Sequence, residues 1–238
     1  MAIAEREHAA AEVVDLGTTS LRELNQRLHD RGRGAPGPKH FRIVNPSGAH
    51  AVACGLDAEL DVEIDGHVGY YCAGMNKLAA VRVHGNASTG IAENMMSGRV
   101  LVDGNVSQSA GATGRGGLLV VRGNASSRCG ISMKGIDIVV GGSVGHMSAF
   151  MAQTGCLVVC GDAGEALGDS IYEARLYVRG SVASLGADCI EKEIRDEHVE
   201  QLRGLLEAAE IDAHPAEFRR YGSARQLYTF KVDNAAGY

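Results

Sequence analysis

The sequence predicts an all-β protein: a right-handed parallel β-helix of about seven 19-residue turns, with short N- and C-terminal helices as appendages. Three observations carry this. An apolar-x-apolar-x-Gly pattern returns without slippage, closed by Gly66, Gly85, Gly104, Gly123, Gly142, Gly161 and Gly180. The chain has 32 glycines, 5% aromatic residues and no tryptophan, which suits tight turns around a core of small aliphatics. No unit of the repeat shows the 3.6-residue period of a helix.

Three regions follow: an N-terminal arm, helix and linker (1–40), the β-helix (41–188), and a C-terminal capping helix and tail (189–238). The first 15 residues are Ala/Glu-rich without a clear apolar stripe and read as a poorly ordered or weakly helical arm. Ser20 stands three residues before Glu23, a capping-box pattern, and Leu21, Leu24 and Leu28 share one face of the helix that follows. A Gly/Pro linker covers 31–40, and 41–60 reads as an irregular opening turn with strand-like alternation at 50–55.

Within the repeat, the positions two and four before each closing glycine are aliphatic throughout, from Val62 and Ile64 to Leu176 and Val178. Period-2 spacing sends both to one face, the interior. Two residues after the glycine, Val68, Ala87, Val106, Ala125, Val144, Ala163 and Val182 alternate large and small, so stacked layers interdigitate. The closing glycines are expected at a corner needing φ > 0, and the small column Ala73, Ala92, Gly111, Gly130, Ala149, Gly168, Ala187 at a second corner. A left-handed hexapeptide coil needs a six-residue subperiod that 19 does not contain, hence the right-handed form. Beyond Asp188, Val199, Leu202, Leu206 and Ala209 line one side of a helix expected to cover the open end. Pro215 opens a short helix ending at Gly222, and Leu227–Val232 reads as extended.

The candidate chemistry is weighed against ordinary structure. GATGRGG (111–117) has no GK[ST] and lies at corner positions, so it is no phosphate loop. Asp65, His84 and Asp103 stack on successive turns and could shuttle protons or hold a metal, but an outward column of opposite charges is a surface ladder first. Asn86, Asn105 and Asn124 suggest an amide ladder. Cys156 and Cys160 are placed on opposite sides of one strand. No catalytic, cofactor-binding or metal-binding residue is assigned. The outward column between the two core columns begins as Glu63 and Arg82, then turns apolar at Leu101, Val120, Val139, Val158 and Tyr177. Either the chain's own helices or a partner must cover that stripe. Together with Met95, Met96, Met133, Met147 and Met151 it is the candidate subunit interface.

A net charge of −6 without a basic run argues against nucleic acid, and no apolar run reaches membrane-spanning length. Six cysteines without CxxC, and no signal-peptide-like start, lead to the expectation of reduced thiols in a cytoplasmic protein.

The glycine spacing together with ENMMSG, SQSAGATG, ISMKGIDIVV, HMSAFMAQ and EALGDSIYEA resembles the C-terminal β-helix domain of the glutamate synthase large subunit. The similarity is greater to the separate small β-helix (GXGXG-type) subunit of N-methylglutamate synthase, over about residues 15–238. The resemblance implies a non-catalytic scaffold in a hetero-oligomer that converts glutamate and methylamine to N-methylglutamate and ammonia. Its partners would be an amidotransferase-like subunit and a synthase subunit holding FMN and an iron-sulfur cluster, with no cofactor in this chain. The alternatives are the β-helix subunit of a formylmethanofuran dehydrogenase-type complex and a carbohydrate-active β-helix enzyme. The latter would need carboxylates converging on one face, for which Asp65 and Asp103 are the nearest candidates.

Overall fold

Runs such as RVLV, LLVV and RLYV are too short and too β-branched for helix, and each forms one rung of a single sheet. The computed structural model describes residues 11–225; residues 1–10 of the expected N-terminal arm and the extended segment expected at Leu227–Val232 lie outside them. In chain order the elements are β1 (Glu12–Asp15), α1 (Leu21–Gly32), β2 (His40–Val44), β3 (Asp61–Asp65), β4 (Ala80–Val83), β5 (Arg99–Val102), β6 (Leu118–Val121), β7 (Lys134–Val140), β8 (Thr154–Val159), β9 (Arg175–Val178), β10 (Cys189–Lys192), α2 (Asp196–Ala208) and β11 (Arg219–Ser223). The strands form an 11-stranded sheet, sequential and parallel from β1 to β9, so the chain is a β-solenoid of about seven regular turns.

The register stacks Val81, Val100, Leu119, Ile138, Leu157 and Leu176 in one column, all essentially solvent-free. A second side is a ladder of single bridges, Val68–Ala87–Val106–Ala125–Val144–Ala163–Val182. The large/small alternation read from sequence is therefore a packed wall of the coil.

The corner opposite is built from three left-handed residues per turn, two apart, as in Tyr71, Ala73 and Met75 or Arg128, Gly130 and Ser132. The small column supplies the middle one from Ala73 to Gly168, whereas at its last member the left-handed residue is Asp188 and not Ala187. Flanking side chains as large as Arg128 and Met147 hold φ of 59° and 55° because their amides are committed to adjacent turns: Arg128 N–H to His146 O, and Met147 N–H to Glu165 O.

The closing glycines serve a different purpose from the one expected. Only Gly66 has positive φ, at 132°. At the others the turns approach too closely for a side chain: a Cβ on Gly142 would lie 2.2 Å from Asn124 Oδ1 and 2.9 Å from Gly123 O. From Gly104 to Gly180 each glycine N–H instead donates to the glycine below, as from Gly123 to Gly104 at 3.0 Å.

Both ends depart from the sequence reading. Glu12–Asp15 is a strand, paired in parallel with β2, and Arg31 of α1 binds Glu12 at 2.6 Å. Residues 50–55 form a left-handed corner (Ala51, Ala53, Gly55), not a strand. Along the rod, Ala92 N–H reaches Cys72 O of the turn below; at the first turn Ala53 N–H has Asn25 Oδ1 of α1 instead, at 3.0 Å. With Leu24 and Leu28 fully buried in the interior, α1 stands where a preceding turn would otherwise be. At the other end the helix expected from Pro215 is a short 3-10 turn (Pro215–Glu217) followed by β11, antiparallel to both β9 and β10. Tyr221 and Cys189 thereby enter the interior core.

Candidate functional site

The apolar stripe is not an open surface. Leu101, Val120, Val139, Val158 and Tyr177, with Cys156 and Cys160, form a second core against Leu202, Leu206, Ala209 and Phe218. α2 therefore lies along the outer face of the sheet and does not cap its end. The stripe is withdrawn as a subunit interface because Val120, Val139 and Val158 are 0% exposed within the chain itself. Cys156 and Cys160 share that outward face, as a separation of four in a strand requires. Val199 is only half-buried on α2, and His198 takes an inner position.

Two polar clamps hold α2. Tyr177 Oη donates to Gln201 Oε1 at 3.0 Å, and Arg175 reaches the same oxygen at 2.8 Å. At the C-terminal end the Arg122 guanidinium donates to Ala209 O (2.6 Å) and Glu210 O (2.9 Å) and pairs with the Glu210 carboxylate (3.0 Å). A cation on the last carbonyls complements the helix dipole.

The methionines divide. Met95 and Met133 are buried inside the rod and fill gaps there, so they too leave the candidate interface. Met147 is half-buried. Met96 and Met151 remain exposed, at 44% and 42%.

The outward charged column is a set of ion pairs. Asp65 is bound by Arg42 at 2.7 Å, not by His84. Asp103 takes two bonds from Arg82 at 3.2 Å and faces His84 Nδ1 at 2.8 Å, while His84 Nε2 lies 3.6 Å from Glu63. Partial burial works against the Asp103 carboxylate, but the bonds from Arg82 and His84 outweigh it and hold its pKa below the usual value. The asparagine column is a ladder of a different kind from stacked amides. Asn86 Oδ1 accepts the backbone N–H of Asn105, Asn105 Oδ1 that of Asn124, and Asn124 Oδ1 that of Ser143, each at 2.8 Å. His67 precedes the series, and Ser143 and Asp162 continue it.

The structure also forms a cleft that sequence reading did not single out. It encloses about 560 Å³ between the ends of β7–β9, the first turn of α2, and β10 and β11. Arg175, Lys192, Arg195, Arg220 and Arg225 line it, with Asp137, Glu173, Glu197 and His198. The cation-rich character was hidden because Arg220 comes opposite Tyr177 only through the antiparallel β9–β11 register. Burial lowers the Arg220 pKa, and Arg175 and Arg195 nearby lower it further. His198 is likewise lowered, by burial first and then by Arg220, which favours its neutral form; its Nδ1 accepts the Arg195 N–H at 3.0 Å. Asp137 is raised by burial, although it accepts the Cys156 N–H at 3.0 Å.

All six cysteines are free, and five are buried. Burial pushes the Cys129, Cys156 and Cys189 thiols up to about 12 and raises the other three as well. Among the described residues no group of three or more His, Cys, Asp or Glu side chains is placed to hold a metal, and no helix is long and apolar enough to cross a membrane.

Together these features define a parallel β-solenoid protein with a helix strapped along its sheet and a cationic cleft at its C-terminal end. The chain is 63% identical to Protein GlxC of Rhizobium meliloti (strain 1021) over 227 residues, covering 95% of this chain and 99% of that protein. It belongs to the GlxC family. No protein-family model matches it.

Proposed function

We propose that this chain is a non-catalytic assembly subunit of a glutamate-synthase-like complex, an N-methylglutamate synthase. In that complex an amidotransferase-like subunit and an FMN/iron-sulfur subunit would carry the reaction, in the cytoplasm. The supporting observation is the state of the nucleophiles and carboxylates in the described chain. Raised thiol pKa values disfavour the thiolate that nucleophilic cysteine chemistry needs. Asp65 and Asp103 are neutralised by different arginines rather than converging on one cleft, which removes support for a carbohydrate-active enzyme. The exposed Met96 and Met151 remain the part of the sequence-based interface still open to a partner.

The test is co-expression with the two partner subunits, followed by size-exclusion chromatography and native mass spectrometry. A three-subunit species whose turnover needs all chains is expected. A chain that stays folded yet never co-elutes would sink the reading.

A further inference from the structure

We propose that the cleft between β9, β11 and the start of α2 is a docking site for an acidic segment of a partner protein. This rests on the assembly reading above and names the contact chemistry. In a chain of net charge −6, five cations gather here from separate elements: Arg175 on β9, Lys192 on β10, Arg195 at the head of α2, Arg220 on β11, and Arg225 just beyond it. The anions on the lining are mostly engaged. Glu173 pairs with Arg225 at 3.0 Å and Asp137 is bound to the Cys156 N–H, whereas Glu197 lies 3.5 Å from a His198 held toward its neutral form. Just outside, Glu193 lies 3.7 Å from Arg195.

Arg175 and Arg220 are left with neutral partners. Arg175 donates to Gln201 Oε1 at 2.8 Å and Arg220 to Glu193 O at 2.9 Å. Among the described residues no carboxylate forms an ion pair with either. Arg175 and Arg195 repel Arg220, Glu197 offsets that only in part, and an incoming carboxylate relieves the remainder while accepting the remaining guanidinium N–H groups. The depressed Arg220 pKa has this same origin in part.

The occupant follows from the walls. A space of about 560 Å³ is far larger than one anion needs. Small-molecule pockets of this size are mostly apolar, whereas the groups lining this one are mostly polar or charged. Cations spread over several elements match a chain carrying several carboxylates, the arrangement by which charged interfaces select partners and raise association rates.

The test uses the full chain and a capped, fluorescein-labelled peptide of glutamates spaced by glycines, read by anisotropy. Saturable binding is expected, lost when the glutamates become glutamines. The double variant Arg175→Glu/Arg220→Glu should raise Kd at least about tenfold, while Lys77→Glu, in an early turn far along the chain, should leave it unchanged. If charge reversal unfolds the chain, Arg175→Gln/Arg220→Gln with an unchanged melting temperature must still weaken binding several-fold. Wild-type affinity in the folded double variant would overturn the proposal. So would inorganic phosphate or glutarate saturating the cleft and displacing the peptide at equal concentration, because the site would then take small anions. The two readings separate cleanly. A chain that co-elutes with its partners but ignores the peptide keeps the assembly role and loses the cleft; one that binds peptide but never co-elutes does the reverse.

Discussion

Two apolar cores run side by side on opposite faces of one sheet, and they are closed by different means. The inner core, with Val121, Ile138 and Leu157, is sealed by the coil itself, so every turn buries its neighbours. The outer core, with Val120, Val139 and Val158, is equally dry but depends on α2 and Phe218. Burial alone does not reveal how a core is held. The inner one is part of a cooperative stack, whereas the outer one can be opened by detaching a single element.

Val121→Asp places a charge inside the coil with no partner, and we expect a loss of about 4 kcal/mol or more, seen as an insoluble or globally unfolded chain. Val139→Lys, one rung along on the other face, should be milder in kind. Hydrogen exchange should show α2 amides losing protection while the amides of β4–β9 keep theirs. Simultaneous loss of both would show that the outer core is integral to the stack and break the comparison. Arg122→Ala removes the clamp on the last carbonyls of α2, and about 1–2 kcal/mol is expected, read as faster exchange confined to that helix.

The smallest effect concerns Asp103, which belongs to neither core. Its carboxyl has a folded-state pKa below the unfolded one, so its contribution is present above the unfolded value and lost as pH falls through the folded value. The stability gap between wild type and Asp103→Asn should therefore close below about pH 4 in urea titrations. A gap independent of pH would mean that the bonds to Arg82 and His84 contribute nothing as charges.

The aliphatic columns were legible because two periods, 2 and 19, coincide in them, and each is local in sequence. The cover over Val139 was not, because the stripe and Leu206 lie far apart and nothing in either names the other. The corner was half legible. Ala73 and Gly130 announce it by size, but Tyr71, Arg128 and Met147 adopt left-handed φ under bonds from adjacent turns, against their own propensity. At the C-terminus, AEFRRYG carries a helix start at Pro215 and a stop at Gly222, yet RRYGS is drawn into the sheet by the open edge of β9. The cleft was least visible of all, since its arginines meet only through that antiparallel pairing.

The ladder running from His67 through Asn86, Asn105 and Asn124 to Asp162 makes each turn measure the next. Every side-chain acceptor sits one residue after a closing glycine, so a slip of one position would leave all rungs unmatched at once. A whole turn, by contrast, can be added or removed with every rung intact. The length of the rod is thereby quantised in steps of roughly 4.8 Å. Evolution or engineering can set the distance between its α1 end and its cationic end in those units and in no others.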